Sequence, residues 1–536
     1  MFTLLNKERI IAGPSFNRWL VPPAALAIHL CIGMAYGFSV FWKPMSTLLA
    51  NTDAACTAQT FMQQLFTTSC NWTIPNEVHI FETFIAMLGI SAAVWGTWVE
   101  RSGPRKSGFI AALCWGGGLI VGGIGVAMHQ LWLVYLGCGI LGGIGQGLGY
   151  ITPVSTLIKW FPDRRGMATG FAIMGYGGGA MVGAPLAVYL MQHYKIDDVL
   201  GVSSTLITMG VIYFVVMTCG AFGFRVAPSG WKPLNWQPVA STSALITNRH
   251  VHLNHAWKTK QFWLIWGVLL LNVTAGIAVI SMASVMFQDV LGPAILGLSN
   301  TITDLSVEQK AAIAASAAGL VGLISLSNSL GRLGWATVSD HIGRKTTYSI
   351  FFILGIVTYC SLPYFGHAGM AGMFVLAVCL ILTMYGGGFS TVPAYLADIF
   401  GTQMVGAIHG RLLTAWSAAG IIGPFIIAAV RQAQIDAGVA KALVYDRTLY
   451  IMAVLLFVGL ILNLLVTKVK DSDYMTDEEL QKERALAHES SSKVDVNAET
   501  AARGSFGFGG VLAWAVIGTP FIIGVWIALS KAAALF

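Results

Sequence analysis

WGTWVERSGPRK, the segment Trp95–Lys106, returns 240 residues later as WATVSDHIGRK, the segment Trp335–Lys345. A tryptophan, an acidic residue and a glycine recur at this spacing, as Trp95/Trp335, Glu100/Asp340 and Gly103/Gly343. Four further pairs share the spacing, namely Pro153/Pro393, Trp160/Phe400, Gly166/Gly406 and Gly170/Gly410. Chance can supply one such match but hardly seven at one offset, so the chain is predicted to consist of two homologous halves.

The composition places both halves in a membrane. Of 536 residues, 56% are hydrophobic and only 10% are charged, whereas soluble globular proteins carry about 25% charged residues. This excludes an ordinary water-soluble enzyme, a nucleic-acid-binding protein and a disordered scaffold. The net charge of +7 then reflects the enrichment of Lys and Arg in cytoplasmic loops and does not indicate an acidic partner.

Thirteen apolar stretches approach or exceed the roughly 20 residues that a membrane span needs. They lie at 20–42, 80–99, 108–128, 131–158, 167–191, 203–224, 261–287, 311–338, 346–365, 369–396, 407–430, 448–467 and 508–530. The predicted fold is an all-α polytopic membrane protein, and its parts follow the chain in order. These are a six-helix bundle (1–224), a loop (225–260), a second six-helix bundle (261–467), a charged linker (468–505) and one extra C-terminal transmembrane helix (506–536).

The positions of Lys and Arg predict the orientation, because cytoplasmic loops are enriched in both. With the N-terminus inside, the cytoplasmic segments before residue 468 hold 17 of these residues and the outer loops hold 6. We therefore expect a cytoplasmic N-terminus, in the inner or plasma membrane. The charged linker then also begins in the cytoplasm.

Two homologous six-helix halves joined by a loop are the plan of a major facilitator transporter, whose substrate site lies between the halves near the bilayer midplane. The repeated loop has an acid at a helix end, a glycine turn and basic residues. Such a loop can form a charge network that holds one closed state and breaks during alternating access. The alternative is that these charges only orient the helices. The predicted gating residues are Glu100, Arg105, Lys106, Asp340, Arg344 and Lys345.

Four segments resemble one group within that superfamily, the oxalate/formate antiporter family. They are KWFPDRRGMATGFAIMGYGGGA (Lys159–Ala180), LNVTAGIAVISMAS (Leu271–Ser284), NSLGRLGWATVSDHIGRK (Asn328–Lys345) and YGGGFSTVPAYLADIFG (Tyr385–Gly401). The resemblance extends over about 20–467 and implies transport of a small organic anion by alternating access. It also implies that the arginine of the eighth span, Arg332, anchors the substrate.

Arg332 is the sharpest signal that the residues give on their own. It lies inside an apolar span, where a cation is costly and must face a cavity or a partner. The equivalent position in the first half is Ala92, so this charge is not part of the repeated architecture. Its planar guanidinium can bind a carboxylate bidentately. The alternatives are an arginine that reaches the cytoplasmic edge or one that pairs with a structural acid.

The charge count of the eleventh span bears on the substrate. Oxalate-transporting members of the resembling family carry a second basic residue there, but 412–430 contain no charged residue and Arg411 lies at the edge. One buried cation suits one carboxylate. We therefore expect a monocarboxylate such as formate or lactate, although a dianion with its other end hydrogen-bonded by neutral groups stays open.

Aromatic and amide side chains on inward-facing helices complete the predicted site, because a small anion in a dry cavity needs O–H and N–H donors. Packing alone is the alternative for each aromatic residue. The predicted substrate-binding residues are Tyr36, Tyr150, Tyr176, Tyr385, Trp416 and Asn328, in addition to Arg332.

His29 lies in the middle of the first span and titrates near neutral pH, so it is a candidate for proton coupling or, alternatively, a packing residue. The spans hold no clearly internal Asp or Glu, which favours anion exchange over proton-linked monocarboxylate symport. A transporter-like membrane sensor is the alternative of another class. No enzymatic activity, cofactor or metal is expected, because no nucleophile–base pair, metal site or intramembrane carboxylate pair appears, and the composition excludes a nucleic-acid partner. The expected partners are a small carboxylate and the lipid bilayer, and the expected state is a monomer.

Cysteines and glycines give two structural predictions. Cys56 and Cys70 lie in the long outer loop after the first span, where an oxidising environment would allow a disulfide. Two glycine rows spaced by four residues, Gly139/Gly143/Gly147 and Gly175/Gly179/Gly183, predict smooth helix faces for close packing.

Overall fold

A computed structural model describes residues 2–13, 16–49, 59–72, 74–196, 199–228, 231–233, 245–296, 306–486 and 507–532, and these residues form helices and connecting loops without a β-strand. The first six long helices are α1 (Arg18–Met45), α2 (Ile74–Ser102), α3 (Pro104–Ala127), α4 (Leu131–Trp160), α5 (Arg165–His193) and α6 (Val202–Gly223). They form the N-terminal bundle.

The second bundle repeats this arrangement. Its helices are α7 (Lys260–Ile295), α8 (Val307–Ile342), α9 (Arg344–His367), α10 (Ala371–Phe400), α11 (Val405–Asp436) and α12 (Asp446–Leu464). A short helix α13 (Asp477–Leu486) and the long helix α14 (Gly507–Ala532) follow.

Each of the thirteen predicted spans corresponds to one long helix, and the predicted all-α architecture is confirmed. Twelve of these helices are long and apolar enough to cross a membrane. The other one, α8, has 36 residues, and its stretch 311–328 contains no charged residue. Several helices are longer than predicted, since α2 begins at Ile74 and α7 continues to Ile295. Helices of this length extend beyond a hydrocarbon core of about 30 Å.

The repeated glycines end one helix and begin the next. Gly103 lies between α2 and α3 with φ 83°, and Gly343 lies between α8 and α9 with φ 85°. A residue with a Cβ rarely adopts this backbone conformation. The two turns lie at the same end of their bundles, together with the basic residues that follow them. This end is called the basic face below.

The two predicted glycine rows form helix contacts, as expected. Gly143 and Gly147 on α4 lie against the backbone of α2 at Phe84 and Leu88. On the other side of the bundle, the row of α5 lies against α1, where Gly179 meets Gly33. Such contacts bring two helix backbones closer than larger side chains allow.

Gly33 is the tightest point of the α1–α5 contact, because a Cβ there would overlap the carbonyl oxygen of Tyr176. We expect Gly33→Val to destabilise the protein by about 1–3 kcal/mol, the usual cost of overpacking. Thermal unfolding of the detergent-solubilised protein measures this. The matched control is Gly117→Ala in α3, where a Cβ meets no atom within 4 Å. An unchanged midpoint in Gly33→Val would contradict the packing argument.

The last helix lies across the seam between the bundles. Trp514 of α14 donates its indole N–H to the carbonyl of Trp19 at 3.1 Å, and Phe521 lies against Gly178 of α5. Further along, Ala528 packs with Met181 of α5 and Leu326 of α8. The opposite side of α14 exposes large apolar side chains, including Phe508, Ile522 and Trp526. A helix with one packed side and one exposed apolar side suits the protein–lipid boundary.

The linker predicted for 468–505 is partly folded. Its helix α13 docks on the basic face, where Glu483 pairs with Arg101 at 3.3 Å and Met475 donates its backbone N–H to His250 at 2.8 Å. The rest of the linker, from 487 onward, lies outside the described residues. The described part therefore contacts both the N-terminal bundle and the 225–260 loop.

Candidate functional site

Arg332 lies between the two bundles and is completely buried, with an exposed fraction of 0%. Its Nε donates to Oδ1 of Asn328 at 3.1 Å, and its Nη1 donates to the carbonyl of Ile173 on α5 at 3.3 Å. Nη2 is buried and has no hydrogen-bond partner among the described residues. The guanidinium is therefore fixed by two neutral acceptors and keeps one free donor edge.

Glycines make room for this side chain. The sequence YGGG occurs in α5 as Tyr176–Gly179 and in α10 as Tyr385–Gly388. A Cβ on Gly177 would lie 3.1 Å from the Nε of Arg332, and a Cβ on Gly386 would lie 3.1 Å from its Cγ. The two glycine runs thus allow α5 and α10 to close around the arginine from opposite bundles.

Four aromatic side chains surround the guanidinium and are called the cage below, namely those of Tyr150, Tyr176, Phe389 and Trp416. The Cζ of Arg332 lies 5.5 Å from the ring centre of Tyr176 and 5.1 Å from that of Phe389. Trp416 contacts both of these side chains, with centroid distances of 5.3 Å to Tyr176 and 4.7 Å to Phe389. Tyr150 packs against both Tyr176 and Trp416 at 5.5 and 5.4 Å. Faces of aromatic rings attract a desolvated cation, so the cage holds Arg332 without neutralising it.

One hydrogen bond closes the cage across the seam. The hydroxyls of Tyr36 on α1 and Tyr385 on α10 lie 2.9 Å apart, and Tyr36 also packs edge-on against Tyr176 at 5.2 Å. The structure therefore brings together all seven residues that the sequence predicted for substrate binding.

Several polar atoms in this cage are unsatisfied. Besides Nη2 of Arg332, the hydroxyls of Tyr150 and Tyr176 and the indole N–H of Trp416 are buried and form no hydrogen bond with the described residues. An unsatisfied buried polar group costs about 1–3 kcal/mol. Four such donors in one aromatic cage, one of them cationic, form a site that can receive an anion.

Two buried histidines flank the cage. His29 of α1 bonds through Nε2 to the carbonyl of Tyr150 at 3.2 Å, and its ring lies 5.2 Å from that of Tyr150. His409 of α11 lies on the other side of Tyr150 at 5.8 Å. Sequence analysis singled out His29 but missed His409, which lies near the edge of the predicted span.

The basic face is held shut by two equivalent contacts between the bundles. Asp340 at the end of α8 accepts the backbone N–H groups of Gly166 and Met167, both at 2.9 Å, at the start of α5. Glu100 near the end of α2 accepts the N–H of Gly406, at 2.8 Å, at the start of α11. Both pairs, Glu100/Asp340 and Gly166/Gly406, have the 240-residue spacing. A carboxylate at a helix N-terminus is favourable because of the free N–H groups and the helix dipole.

Side-chain ion pairs reinforce this closure. Asp398 of α10 bonds to Arg165 of the other bundle at 3.1 Å and to Arg344 at 3.2 Å. Arg344 also bonds to Asp340 at 2.6 Å, and Lys159 lies 2.5 Å from Glu100. Asp398, Arg165 and Lys159 were not among the predicted gating residues, because none of them has a charged partner at the 240-residue spacing.

The remaining predicted gating residues lie elsewhere on this face. Arg105 donates to the carbonyls of Phe222 and Phe224 at the end of α6, at 3.0 and 3.4 Å. Its repeat partner Lys345 donates to the carbonyls of Leu464 and Val466 at the end of α12, both at 2.8 Å. Each side chain thus caps a helix of its own bundle. Lys106 is half-buried and forms no hydrogen bond or ion pair with the other bundle in the described part of the chain.

The opposite face contains the predicted disulfide region. Cys70 is disulfide-bonded, and Cys56, its predicted partner, lies outside the described residues. The carbonyl of Cys70 lies 2.8 Å from Nε2 of His129, which stacks on Trp72 at 4.4 Å. Burial lowers the pKa of His129 below its ordinary value. This loop is therefore packed against the end of α3.

The comparisons with known proteins agree with this architecture. The profile of the Major Facilitator Superfamily matches residues 26–424 and 298–535. The oxalate:formate antiporter of Oxalobacter formigenes is 25% identical over 420 residues, which are 77% of this chain and 85% of the antiporter. The apicoplast pyruvate carrier 1 of Toxoplasma gondii is 23% identical over 449 residues, which are 72% of this chain and 78% of the carrier.

A solved structure shows the same fold. The crystal structure of the fucose:proton symporter of E. coli matches with a TM-score of 0.55 at 12% identity, over 84% of this chain and all of the symporter. At this identity the match supports the fold alone. Together with the family match and the two six-helix bundles, it leads to one conclusion: the chain belongs to the Major Facilitator Superfamily and is a polytopic membrane transporter.

Proposed function

We propose that this transporter carries small carboxylates by anion exchange and that Arg332 binds the carboxylate. The observation that carries the proposal is the free Nη2 of Arg332 inside a buried cage whose other unsatisfied groups, the Tyr150 and Tyr176 hydroxyls and the Trp416 indole, are donors. A carboxylate oxygen accepts from all three kinds of donor. A cationic or purely apolar substrate would leave them unpaired.

The charge and the aromatic lining of the cage favour a small monocarboxylate. The described residues around Arg332 offer one fixed cation and no carboxylate that pairs with it. Aromatic side chains occupy the rest of the wall, which suits a short apolar tail such as that of lactate or pyruvate. The two relatives above support this class, because their names specify oxalate, formate and pyruvate.

Exchange by alternating access would use the contacts on the basic face as its gate. Glu100 and Asp340 each hold a helix N-terminus of the other bundle, so rocking of the bundles must break both contacts together. Arg344 supports Asp340 from within its own bundle, whereas Arg105, Lys106 and Lys345 orient the helix ends. We further propose that the basic face is cytoplasmic and that the protein lies in the plasma membrane, as the Lys and Arg distribution predicts.

Counterflow in proteoliposomes tests the proposal. Vesicles preloaded with formate or lactate should take up labelled formate or lactate several-fold faster than empty vesicles, because an exchanger returns its site only when loaded. Uptake should be unaffected by a protonophore. Binding of carboxylates without any preload-dependent uptake would contradict exchange and would favour a sensor that keeps the transporter fold.

Proton-linked monocarboxylate symport is the second candidate, and His29 favours it. This histidine is completely buried and contacts Tyr150 of the cage, so a proton there would accompany the anion. Symport predicts uptake into empty vesicles that is driven by an inward proton gradient and abolished by a protonophore. Exchange predicts neither result.

A further inference from the structure

His409 is a buried titratable residue that the proposed carboxylate site does not use. It is completely buried on α11, and both of its ring nitrogens lack a hydrogen-bond partner among the described residues. A neutral imidazole there leaves one donor and one acceptor unsatisfied, a costly state for a packing residue. Leucine or phenylalanine would fill the same space without this cost.

The surroundings of His409 connect it with the anion cage. Its ring and that of His29 pack on the ring of Tyr150 at 5.8 and 5.2 Å. Tyr150 also packs on Tyr176 at 5.5 Å, and the ring centre of Tyr176 lies 5.5 Å from the Cζ of Arg332. The two imidazoles and the guanidinium therefore lie in one cluster around Tyr150 and Tyr176.

The charged groups on the neighbouring helices are engaged with other partners. Glu100 of α2 bonds to Gly406, Lys159 and Ser155, and Asp398 of α10 bonds to Arg165 and Arg344. Arg411, two residues along α11, bonds to Leu253 and Asn254. Among the described residues, the ring of His409 contacts Tyr150, and Tyr150 in turn contacts His29.

We propose that His409 and His29 together bind one proton when a dicarboxylate occupies the site, so that the imidazolium supplies the second positive charge that residues 412–430 do not carry. One dianion and one proton enter the site together, and both leave with the substrate. A monocarboxylate is neutralised by Arg332 alone and requires no proton. This inference rests on the proposed function and extends it to a second class of substrate.

The physical reason is charge balance in a dry cage. A dianion beside one guanidinium would leave a net negative charge among aromatic rings, where unpaired charge is strongly disfavoured. That negative charge raises the proton affinity of any imidazole within reach. Binding of the dianion and binding of the proton therefore strengthen each other, as linkage requires.

The test measures the uptake of oxalate and of formate in the same proteoliposomes. A loss of folded or inserted protein lowers both uptake rates alike and therefore cancels in their ratio. Both carboxyl groups of oxalate are ionised between about pH 6 and about pH 8. As the pH rises over this range, the ratio of oxalate uptake to formate uptake should fall in the wild type. Above the pKa of the His409–His29 pair, the fall should approach about tenfold per pH unit. A pH-sensitive dye inside the vesicles should report one proton entering per oxalate exchanged for formate.

Two substitutions separate charge from shape. His409→Gln should give a low ratio of oxalate uptake to formate uptake that no longer depends on pH. His409→Lys should give a high ratio that depends only weakly on pH, because the lysine carries its charge over this range. His255→Gln, at an exposed histidine, is the matched control and should keep the wild-type profile. A wild-type ratio independent of pH, or a profile that persists after both His409→Gln and His29→Gln, would overturn the inference while leaving formate exchange intact. Failure of the wild type to exchange either anion would instead overturn the proposed function.

Discussion

Arg332→Ala is expected to lower the initial rate of carboxylate counterflow by at least about 30-fold. Removing one partner of a buried, hydrogen-bonded charge pair costs about 2–5 kcal/mol, and about 1.4 kcal/mol corresponds to a factor of ten. The loss should appear for every carboxylate that the wild type exchanges, because all would share this anchor. Labelled formate or lactate uptake into preloaded proteoliposomes measures it.

Three other variants show whether the loss concerns the substrate or the fold. Arg332→Lys keeps the charge but loses the planar fork, so it should retain a small residual rate. Arg332→Met removes a buried charge that is incompletely bonded, and such replacements are often neutral or stabilising. Its unfolding midpoint should therefore equal or exceed that of the wild type. Arg447→Ala, at an exposed arginine, should leave exchange unchanged. Full activity in Arg332→Ala would mean that another residue binds the anion.

Most residues of the cage could be predicted from the sequence, because a buried charge and polar aromatic side chains are recognisable from residue type alone. Phe389 was not predicted. Arg332 is conspicuous as a charge in an apolar span, and its repeat partner Ala92 shows that the fold does not require it. The aromatic residues were predicted one by one as donors on inward-facing helices. Their mutual contacts depend on the crossing of α1, α4, α5, α10 and α11, which no local pattern specifies.

His409 shows how a helix boundary can hide a functional candidate. The predicted span began at 407, which placed this histidine near the membrane edge. In the structure α11 begins at Val405 and is interrupted at Leu413, between Val405–Leu412 and Thr414–Asp436. The first segment packs against α2 and α4, and His409 is fully buried there. Burial of this kind arises from tertiary packing and leaves no periodicity in a segment of eight residues.

The contacts that close the basic face were predicted only in part, because their acceptors are carboxylate side chains but their donors in the other bundle are backbone N–H groups. Glu100 and Asp340 were recognisable as repeated acids, but their cross-bundle partners are the peptide groups of Gly166, Met167 and Gly406. A peptide N–H has no residue signature. The repeat did mark Gly166 and Gly406, and the structure gives the reason, since a Cβ on either glycine would collide with the acid that it holds.

Asp340→Asn is expected to open the basic face. The substitution replaces a carboxylate that accepts from two peptide N–H groups and from Arg344. Hydrogen bonds to charged groups contribute about 1.5–3 kcal/mol each, and an amide keeps only one acceptor oxygen. A net loss of about 2–3 kcal/mol would raise the ratio of open to closed molecules by about 30- to 150-fold.

Thiol labelling can measure this shift. Thr169 is buried at the seam, and its hydroxyl donates to the carbonyl of Ser390 in the other bundle at 2.8 Å. A Thr169→Cys protein, with the exposed Cys219 and Cys360 replaced by serine, should react with a polar maleimide at least about tenfold faster after Asp340→Asn. Detergent-solubilised protein is used, so that membrane sidedness does not limit access.

The pseudo-symmetry of the gate supplies an internal check on this prediction. Glu100→Gln should accelerate labelling as Asp340→Asn does, because it releases the equivalent helix start at Gly406. Asp471→Asn removes an exposed ion pair with Arg249 at 3.4 Å and should have no effect. An increase with only one of the two gate variants would mean that the halves do not share the closure equally. Unchanged labelling in both would assign the closure to the Arg165–Asp398 ion pair between the bundles instead, and the repeated acids would then serve only to orient their helices.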